Sequence, residues 1–441
     1  MSDTIYALAS APGRAGVAVI RVSGPMAGEM LDRLCGGRPQ PRKASLRRFT
    51  DVDGGLIDEG LALWFPAPAS FTGEDSAEFQ VHGGPAVIAA LLGSLSDAGA
   101  RAAEAGEFSR RAFANGRMDL TEAEGLADLI DAETEGQRAQ ALAQMTGSLK
   151  AVYSSWRETL ITILAALEGE IDFPDEEDVP EDLSSRASAP LAALMEELSQ
   201  HLDDDKRGQR VREGFVVALI GAPNAGKSSL LNRLARRDAA IVTDIAGTTR
   251  DVVEVRLVLG GFPVILADTA GVRGASDGGE AEGVRRALAR AEDADLRIGV
   301  LDVSRETGLG TLERRLTPGD GLALNKADLA AVEIPVPQGV CAHRVSARTG
   351  EGLEKLEQWL EAVVVERLSS REAPALSRAR HREGVSRALA HLRAASAQVG
   401  SAPELAAAEI HLGLRAIEGL TGRIDVEDVL DQVFSQFCIG K

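Results

Sequence analysis

A phosphate-binding loop sits in the middle of this 441-residue chain rather than at an end. Residues 221–229 read GAPNAGKSS and fit the pattern G-x-x-x-x-G-K-[ST]. The apolar run Phe215-Val216-Val217-Ala218-Leu219-Ile220 precedes the loop, and Ser229-Leu230-Leu231-Asn232-Arg233-Leu234 follows it. A buried strand therefore feeds a glycine loop that opens a helix, which is the context the motif requires. Backbone N–H groups and the helix N-terminus can cradle phosphates there. Lys227 would reach the terminal phosphates and the Ser228 hydroxyl would ligate Mg²⁺. Asn224, Ala225, Gly226 and Ser229 complete the loop.

The flanks bound what such a loop can serve. At roughly 100–200 residues per domain, the length predicts two to four domains. The 44% hydrophobic content can fill real cores, and with only 4% aromatic residues and abundant Ala, helices are expected to dominate. No run approaches ~18 apolar residues and the first residues, MSDTIYALASAPGR, lack a basic leader, so neither a membrane span nor a signal peptide is expected. Cys35, Cys341 and Cys438 are odd in number and scattered, which points to a reducing, cytoplasmic location and against a zinc site. The net charge of −19 argues against a wholly nucleic-acid-binding surface. That charge is uneven. Residues 1–118 hold 12 Lys and Arg against 13 Asp and Glu, leaving −18 to the remainder.

The chain reads as a multidomain α/β protein. Residues 1–118 look α+β, with strand-like Thr4–Ala9, Gly16–Val22 and Leu61–Phe65, helical Pro25–Leu34 and Pro85–Ser96, and Arg38–Arg48 as a Pro- and Arg-rich connector. Residues 120–167 carry a strong helical pattern that ends in the acidic stretch Glu170–Asp178, and helix is expected again over about 183–207. Residues 213–365 alternate strand and helix. Val253, Val255, Leu257 and Leu259 alternate on one strand face, and Gly260-Gly261 turns into Phe262–Ala267, a hairpin signal. Further strand-like runs at 296–303, 320–324 and 339–345 predict a mixed sheet with one antiparallel strand. Past about 375 the pattern is helical to the end. Helical segments on both sides of an α/β unit predict an insertion, with domains at 1–118, 119–212, 213–370 and 371–441 and the third set inside one helical domain.

Four more elements follow the phosphate loop in order. TDIAGTTRD (Thr243, Asp244, Ile245, Ala246, Gly247, Thr248, Thr249 and on) can fold over a terminal phosphate, with Thr249 as a second Mg²⁺ ligand. DTAG (Asp268, Thr269, Ala270, Gly271) ends a strand, where Asp268 can hold the metal through water and the Gly271 N–H can sense the phosphate. In NKAD (Asn325, Lys326, Ala327, Asp328), Asp328 can accept from the ring N–H and the exocyclic amine of guanine, a donor pair adenine lacks. SART opens with Ser346, Ala347 and Arg348 and can offer a backbone N–H to the guanine carbonyl. Singly each is compatible with an ordinary turn. As an ordered set they read as a GTPase domain, one that resembles the translation-factor-related class of P-loop GTPases. The glutamine usual after DTAG is replaced by Val272, which cannot orient water. Asn224 and the TDIAGTT loop could bind a monovalent cation instead, and Glu280 or Glu282, which spacing does not separate, could orient the water.

The flanking segments carry a more specific resemblance. APGRAGVAVIRVSGP (11–25), FTGEDSAEFQVHGGP (71–85), GEFSRRAFANGRMDL (106–120), EIDFPDEE (170–177) and the ending Phe437-Cys438-Ile439-Gly440-Lys441 together resemble the bacterial tRNA-modification GTPase family MnmE, also called TrmE, over essentially the whole chain. The resemblance implies an N-terminal folate-binding domain that forms a homodimer, a helical domain, and an inserted GTPase domain. It implies a partner, MnmG, that carries FAD and uses NADH, in a heterotetramer that modifies the wobble uridine of certain tRNAs. The group added is aminomethyl or carboxymethylaminomethyl, with methylene-tetrahydrofolate as carbon source. The tRNA would be held largely by the partner. By the same resemblance, K⁺ is bound by Asn224, Thr243, Ile245 and Thr248, Mg²⁺ by Ser228 and Thr249, and Glu280 rather than Glu282 orients water, with Lys227 and Asn224 assisting catalysis. Arg21, Glu78, Arg117 and Lys441 match folate contacts, although Arg stands at 117 where the family often has Lys. Cys438 matches a tail cysteine linked to the modification.

Two other readings fit the GTPase motifs. A ribosome-assembly GTPase would carry a basic RNA-binding appendage, which this chain lacks. A self-sufficient folate-dependent transferase would need its own redox cofactor, and no G-x-G-x-x-G opens a strand–helix unit here.

Overall fold

The structure, a computed structural model, describes residues 3–172, 183–204, 206–237, 254–268, 294–305, 310, 312, 314–329, 334–369, 374–422, 427–435, 437 and 440. The chain divides into two compact units. One holds Met1–Ala127, Ala143–Leu194 and Arg387–Lys441, and the other holds Asp128–Leu142 and Met195–Ser386.

In the first unit the chain forms β1 (Ile5–Leu8), β2 (Ala15–Ser23), α1 (Ala27–Cys35), β3 (Ser45–Thr50), β4 (Leu56–Phe65), β5 (Ser76–Gly83), α2 (Pro85–Asp97), β6 (Arg101–Ala102) and α3 (Glu107–Ala114). The six strands make one sheet in the order β3-β4-β5-β2-β1-β6, antiparallel except for the parallel β1–β6 pair. Period-two alternation sets its faces. Ala18, Ile20 and Val22 of β2 and Ala77, Phe79 and Val81 of β5 are buried together with Met30, Leu31 and Leu34 of α1 and Leu91 and Leu95 of α2. The intervening residues point to the opposite face. There Ile5 and Ala7 of β1 cluster with Ala103 and Phe108, and Phe71 packs against them. The expected Arg38–Arg48 connector is shorter than the sequence suggests. Ser45–Arg48 belong to β3, an edge strand on which Arg48 is exposed while Arg47 is half-buried on the same face as the buried Phe49.

Helices follow: α4 (Leu120–Asp131), α5 (Glu135–Met145), α6 (Ser148–Asp172), α7 (Leu183–Leu202) and α8 (Arg207–Glu213). The breaks fall where side chains cap. Asp119 Oδ1 accepts from the Glu122 amide while Glu122 Oε2 accepts from the Asp119 amide, a reciprocal cap that starts α4. Thr134 and Gln137 do the same for α5. Most of the acidic stretch, residues 173–178, lies outside the described residues.

The second unit contains β7 (Phe215–Ile220), α9 (Lys227–Arg237), β8 (Glu254–Leu259), β9 (Phe262–Asp268), β10 (Leu296–Asp302), β11 (Gly321–Asn325), β12 (Cys341–Arg344) and α10 (Leu353–Leu368). Its sheet has the order β12-β11-β10-β7-β9-β8 and is parallel except for β8, as the hairpin signal predicts. Gly260 and Gly261 turn the hairpin at φ 56° and 83°, values that the primed two-residue turn demands and that glycine adopts without strain. Leu230, Leu231 and Leu234 of α9 and Leu353, Leu356 and Leu360 of α10 pack on one face. Leu312 and Leu316 pack against Ala218, Ile220, Leu301 and Leu324 on the other. Strands buried on both faces read as continuous apolar runs for this reason. The expected 213–370 limits fall inside this unit, which also takes in 128–142, 195–212 and 371–386.

The chain ends, within its described residues, in α11 (Ala379–Ser396), α12 (Pro403–Thr421) and α13 (Glu427–Ser435). In the first unit α12 packs on α6, where Arg157 Nε donates to Glu418 Oε1 at 2.7 Å.

Candidate functional site

The carboxyl ends of parallel strands are where open α/β sheets place ligands, and the second unit gathers its motif residues there. Past Ile220 the chain turns through Asn224, a non-glycine residue at φ 65°, and Gly226 at φ 97°. A Cβ at Gly226 would overlap the Asn325 amide, so only glycine lets the loop lie this close to β11. Asn325 uses that approach. Its Nδ2 donates to the Ala225 carbonyl at 2.8 Å, and its Oδ1 accepts from the Ala347 amide at 3.1 Å. One buried side chain thus ties the glycine loop to the 346–348 loop.

Lys227 is 3% exposed, and its Nζ donates to the Gly221 and Ala222 carbonyls at 2.8 and 2.9 Å. The ammonium is therefore held inside the curl of the loop, the space phosphate oxygens would share. Ser228 Oγ donates to Asp268 Oδ2 at 2.5 Å, and Asp268 is fully buried at the end of β9. A hydroxyl and a carboxylate in contact form a hard oxygen pair of the kind Mg²⁺ takes, so these two residues fit the ion expected at Ser228.

At the other end of the site Asp328 Oδ1 accepts from Ser346 Oγ at 2.6 Å and Oδ2 from Arg348 Nη2 at 2.7 Å. The Ser346 bond first, and the charge and bond of Arg348 after it, hold the Asp328 carboxyl below the usual carboxylate range. It is an ionised double acceptor, suited to two N–H donors on one edge of a base. Among the described residues the structure thus brings Asn224, Ala225, Gly226, Lys227, Ser228 and Ser229 together with Asp268, Asn325, Lys326, Asp328, Ser346, Ala347 and Arg348. The residues of 243–249, Thr269, Ala270, Gly271, Val272, Glu280 and Glu282 lie outside the described residues.

Sequence reasoning missed Asp302. It ends β10, beside Asn325 in the β10–β11 register, and its Oδ2 accepts from Lys326 Nζ at 2.5 Å. Burial pushes its pKa up, but the bonds from Lys326 and Ser304 outweigh burial and hold it below the ordinary carboxylate value. The only signal in the sequence is its place at the end of an apolar strand.

A second candidate site lies on the face of the first unit's sheet opposite α1 and α2. Arg21 and Glu78 are direct cross-strand partners on β2 and β5, and Arg21 Nε and Nη2 both donate to Glu78 Oε1, at 3.1 and 3.0 Å. The Arg21 guanidinium stands 5.3 Å from the centre of the Phe71 ring and 5.9 Å from that of Phe108, close enough for cation–π attraction. Neither phenylalanine was singled out from the sequence. Arg117 is exposed, and a Cβ on Gly73 would lie 3.2 Å from its Cγ, which places the Arg117 stem beside the loop that carries Phe71. Gly440 is buried against the Leu8 carbonyl on β1, so the C-terminal tail reaches this sheet. Cys438 and Lys441 lie outside the described residues.

A family model described as the MnmE helical domain matches residues 120–438, and one described as the GTP-binding protein TrmE N-terminus matches residues 4–117. The chain is 63% identical to the tRNA modification GTPase MnmE of Maricaulis maris (strain MCS10) over 442 residues, covering 100% of each chain. It is 55% identical to that of Parvibaculum lavamentivorans over 444 residues and 53% identical to that of Caulobacter vibrioides over 448, each time with 100% of both chains covered. Among solved structures, the G domain of the T. maritima FeoB iron transporter is 30% identical, with a TM-score of 0.26 over 35% of this chain and 98% of that one.

Proposed function

The chain belongs to the tRNA modification GTPase MnmE family, and we propose that it is a K⁺-dependent GTPase that works with the flavin-dependent partner MnmG on the wobble uridine of tRNA, using methylene-tetrahydrofolate. That it is a GTP hydrolase of a tRNA-modifying family follows from the membership itself. Among the described residues no helix is long and apolar enough to cross a membrane, and we place the protein in the cytoplasm as a homodimer. We assign folate binding to 1–118, the GTPase to 213–370, and the helical frame to 119–212 and 371–441.

The observation that carries the nucleotide reading is the Asn325 bridge, which sets a base-recognition edge at Asp328 at a fixed distance from the phosphate cradle. On this reading Asp328 accepts the guanine N–H pair, Lys227 and the loop amides hold the β- and γ-phosphates, and Ser228, Thr249 and Asp268 provide the oxygen set for Mg²⁺. Water attacks the γ-phosphorus, the bond to the bridging oxygen breaks, and GDP and phosphate leave. Catalysis here is positioning and charge compensation. Val272 offers neither, so Glu280 is assigned to orient the water, and Asn224, Thr243, Ile245 and Thr248 to hold K⁺. The cation, when bound, supplies positive charge where other GTPases use an arginine. Arg21, Glu78, Arg117 and Lys441 are assigned to the folate derivative, and Cys438 is assigned as a functional thiol of the modification. The paired Arg21 and Glu78 support this, since together they offer donors and an acceptor beside the Phe71 ring.

Two experiments test the reading. GTP hydrolysis is expected to run much faster in K⁺ than in Na⁺ and to rise with protein concentration; equal rates in both salts would remove the cation assignment. A deletion strain is expected to lack the wobble-uridine modification by nucleoside mass spectrometry, whereas intact modification with defective ribosomal subunits would favour an assembly factor. The base assignment has its own readout. Asp328→Asn replaces one acceptor by a donor and should weaken GDP binding roughly 10- to 100-fold per bond lost, while improving xanthosine diphosphate, whose second ring carbonyl, standing where guanine carries its amine, accepts from the new amide N–H. Equal losses for both nucleotides would sink it.

A further inference from the structure

We propose that Asp302 is a positioning residue for guanine-nucleotide binding, acting through Lys326. The inference rests on the reading of 325–328 as the base-recognition segment. Lys326 sits in the left-handed region at φ 64°, immediately after β11 and between two residues that are already committed. Asn325 before it holds the phosphate loop, and Asp328 after it holds Ser346 and Arg348. Its backbone therefore joins the residue that holds the phosphate cradle to the residue that forms the base edge. The Lys326 side chain runs from the end of β11 to the end of β10 and finishes on Asp302 Oδ2 at 2.5 Å.

Asp302 is built for one task at each oxygen. Oδ1 accepts from the Ser304 amide at 3.0 Å and the Ser304 hydroxyl at 2.6 Å, which fixes the turn after β10. Oδ2 takes the ammonium. The carboxyl group is itself anchored by the ladder, since Asp302 is paired with Asn325 and the Val303 amide donates to the Asn325 carbonyl at 3.0 Å. A lysine on a four-carbon stem loses much rotamer freedom when it is held, and Asp302 takes that loss during folding rather than during binding. The bridge is thus a preformed wall of the nucleoside site. Removing its acidic end leaves Lys326 free to sample rotamers that block or abandon the site, and the cost appears in affinity.

The test uses the full chain and GDP as probe. Asp302→Asn keeps the shape and the turn acceptor but removes the charge. It is expected to raise the GDP dissociation constant about tenfold while leaving kcat at saturating GTP within about twofold, so that KM carries the change. Lys326→Met keeps the stem and removes the ammonium, and should cost a similar factor. The double variant should be little worse than either single one, because both act on one contact. Ser304→Ala, which disturbs only the turn, should leave GDP affinity within about twofold. Unchanged affinity in Asp302→Asn would overturn the proposal. So would a further tenfold loss on adding it to Lys326→Met, or a Ser304→Ala loss as large as that of Asp302→Asn, since either would make Asp302 a turn residue only. If Asp302→Asn does not fold, Lys326→Met decides, and wild-type affinity in it overturns the proposal. A wild-type protein that binds ADP as well as GDP would instead sink the base-site reading beneath it.

Discussion

Lys227→Ala is expected to lower kcat/KM for GTP hydrolysis by about 10²–10³, the cost typical of removing one preorganised charge-stabilising group from an active site. The ammonium is already held in place by the loop. It is buried and bonded to the carbonyls of Gly221 and Ala222, both on the loop that Gly226 and Asn325 press against β11. Its charge is already fixed inside the loop, so little rotamer freedom remains to be lost when a phosphate binds. Lys227→Arg should rescue little, because a planar guanidinium cannot occupy the pocket between two carbonyls that suits a compact ammonium. Phosphate release measured at saturating and subsaturating GTP, with the ligand-free thermal midpoint as control, checks this. A loss under tenfold with an unchanged midpoint would mean the loop cradles phosphate without this charge.

What could be read in advance divides along the distance between partners in sequence. The β7–loop–α9 unit was legible because strand, glycines and helix are contiguous, and the β8–β9 hairpin because Gly260-Gly261 announces its turn. Strand β5 was not singled out, since Glu78, Gln80 and His82 alternate with its apolar residues and the run reads as polar until its buried face is seen. Edge strand β3 hid among arginines for the same reason. The motifs around 325–328 and 346–348 pointed to a guanine site, but the Asn325 bridge that assembles it joins residues 100 apart. Arg21 and Glu78, 57 residues apart, entered through resemblance. Their pairing depends on the β2–β5 register, which no local pattern encodes. Asp302 carried no motif at all; its role exists only because parallel β10 and β11 end side by side.

The largest stability effect is expected from Arg111→Met in the first unit, a loss of about 3–5 kcal/mol. The Arg111 side chain is fully buried. Its Nη1 donates to the Asp3 carbonyl at 2.9 Å and to Glu74 Oε2 at 3.1 Å, and its Nη2 to Asp3 Oδ1 and Glu107 Oε1, each at 2.9 Å. Arg101 shares Glu107 and Asp3 from the outside. Removing Arg111 leaves Arg101 to satisfy those two but strips Glu74 of its cation. Glu74 also accepts from Ser23 Oγ, and Ser23 holds Thr72, so the strain falls on the loop that presents Phe71 to Arg21. Adding Glu74→Gln should therefore recover at least ~1 kcal/mol, because the neutral amide no longer needs the charge. The pH dependence has a defined sign. Burial pushes Glu107 up, but bonds from Arg101, the Glu104 amide and Arg111 outweigh it, and its pKa is depressed. A depressed carboxylate contributes stability above its unfolded pKa and loses it as pH falls through the folded value. Arg101 keeps part of that depression in Arg111→Met, and the part that Arg111 supplies is lost there, so the gap between wild type and variant should narrow modestly below about pH 4. Amide exchange of β2 and β5 under increasing urea reports this unit separately from the other, and a shift of under ~1 kcal/mol at pH 7 would show that the buried ion pairs do not hold together the sheet face opposite α1 and α2.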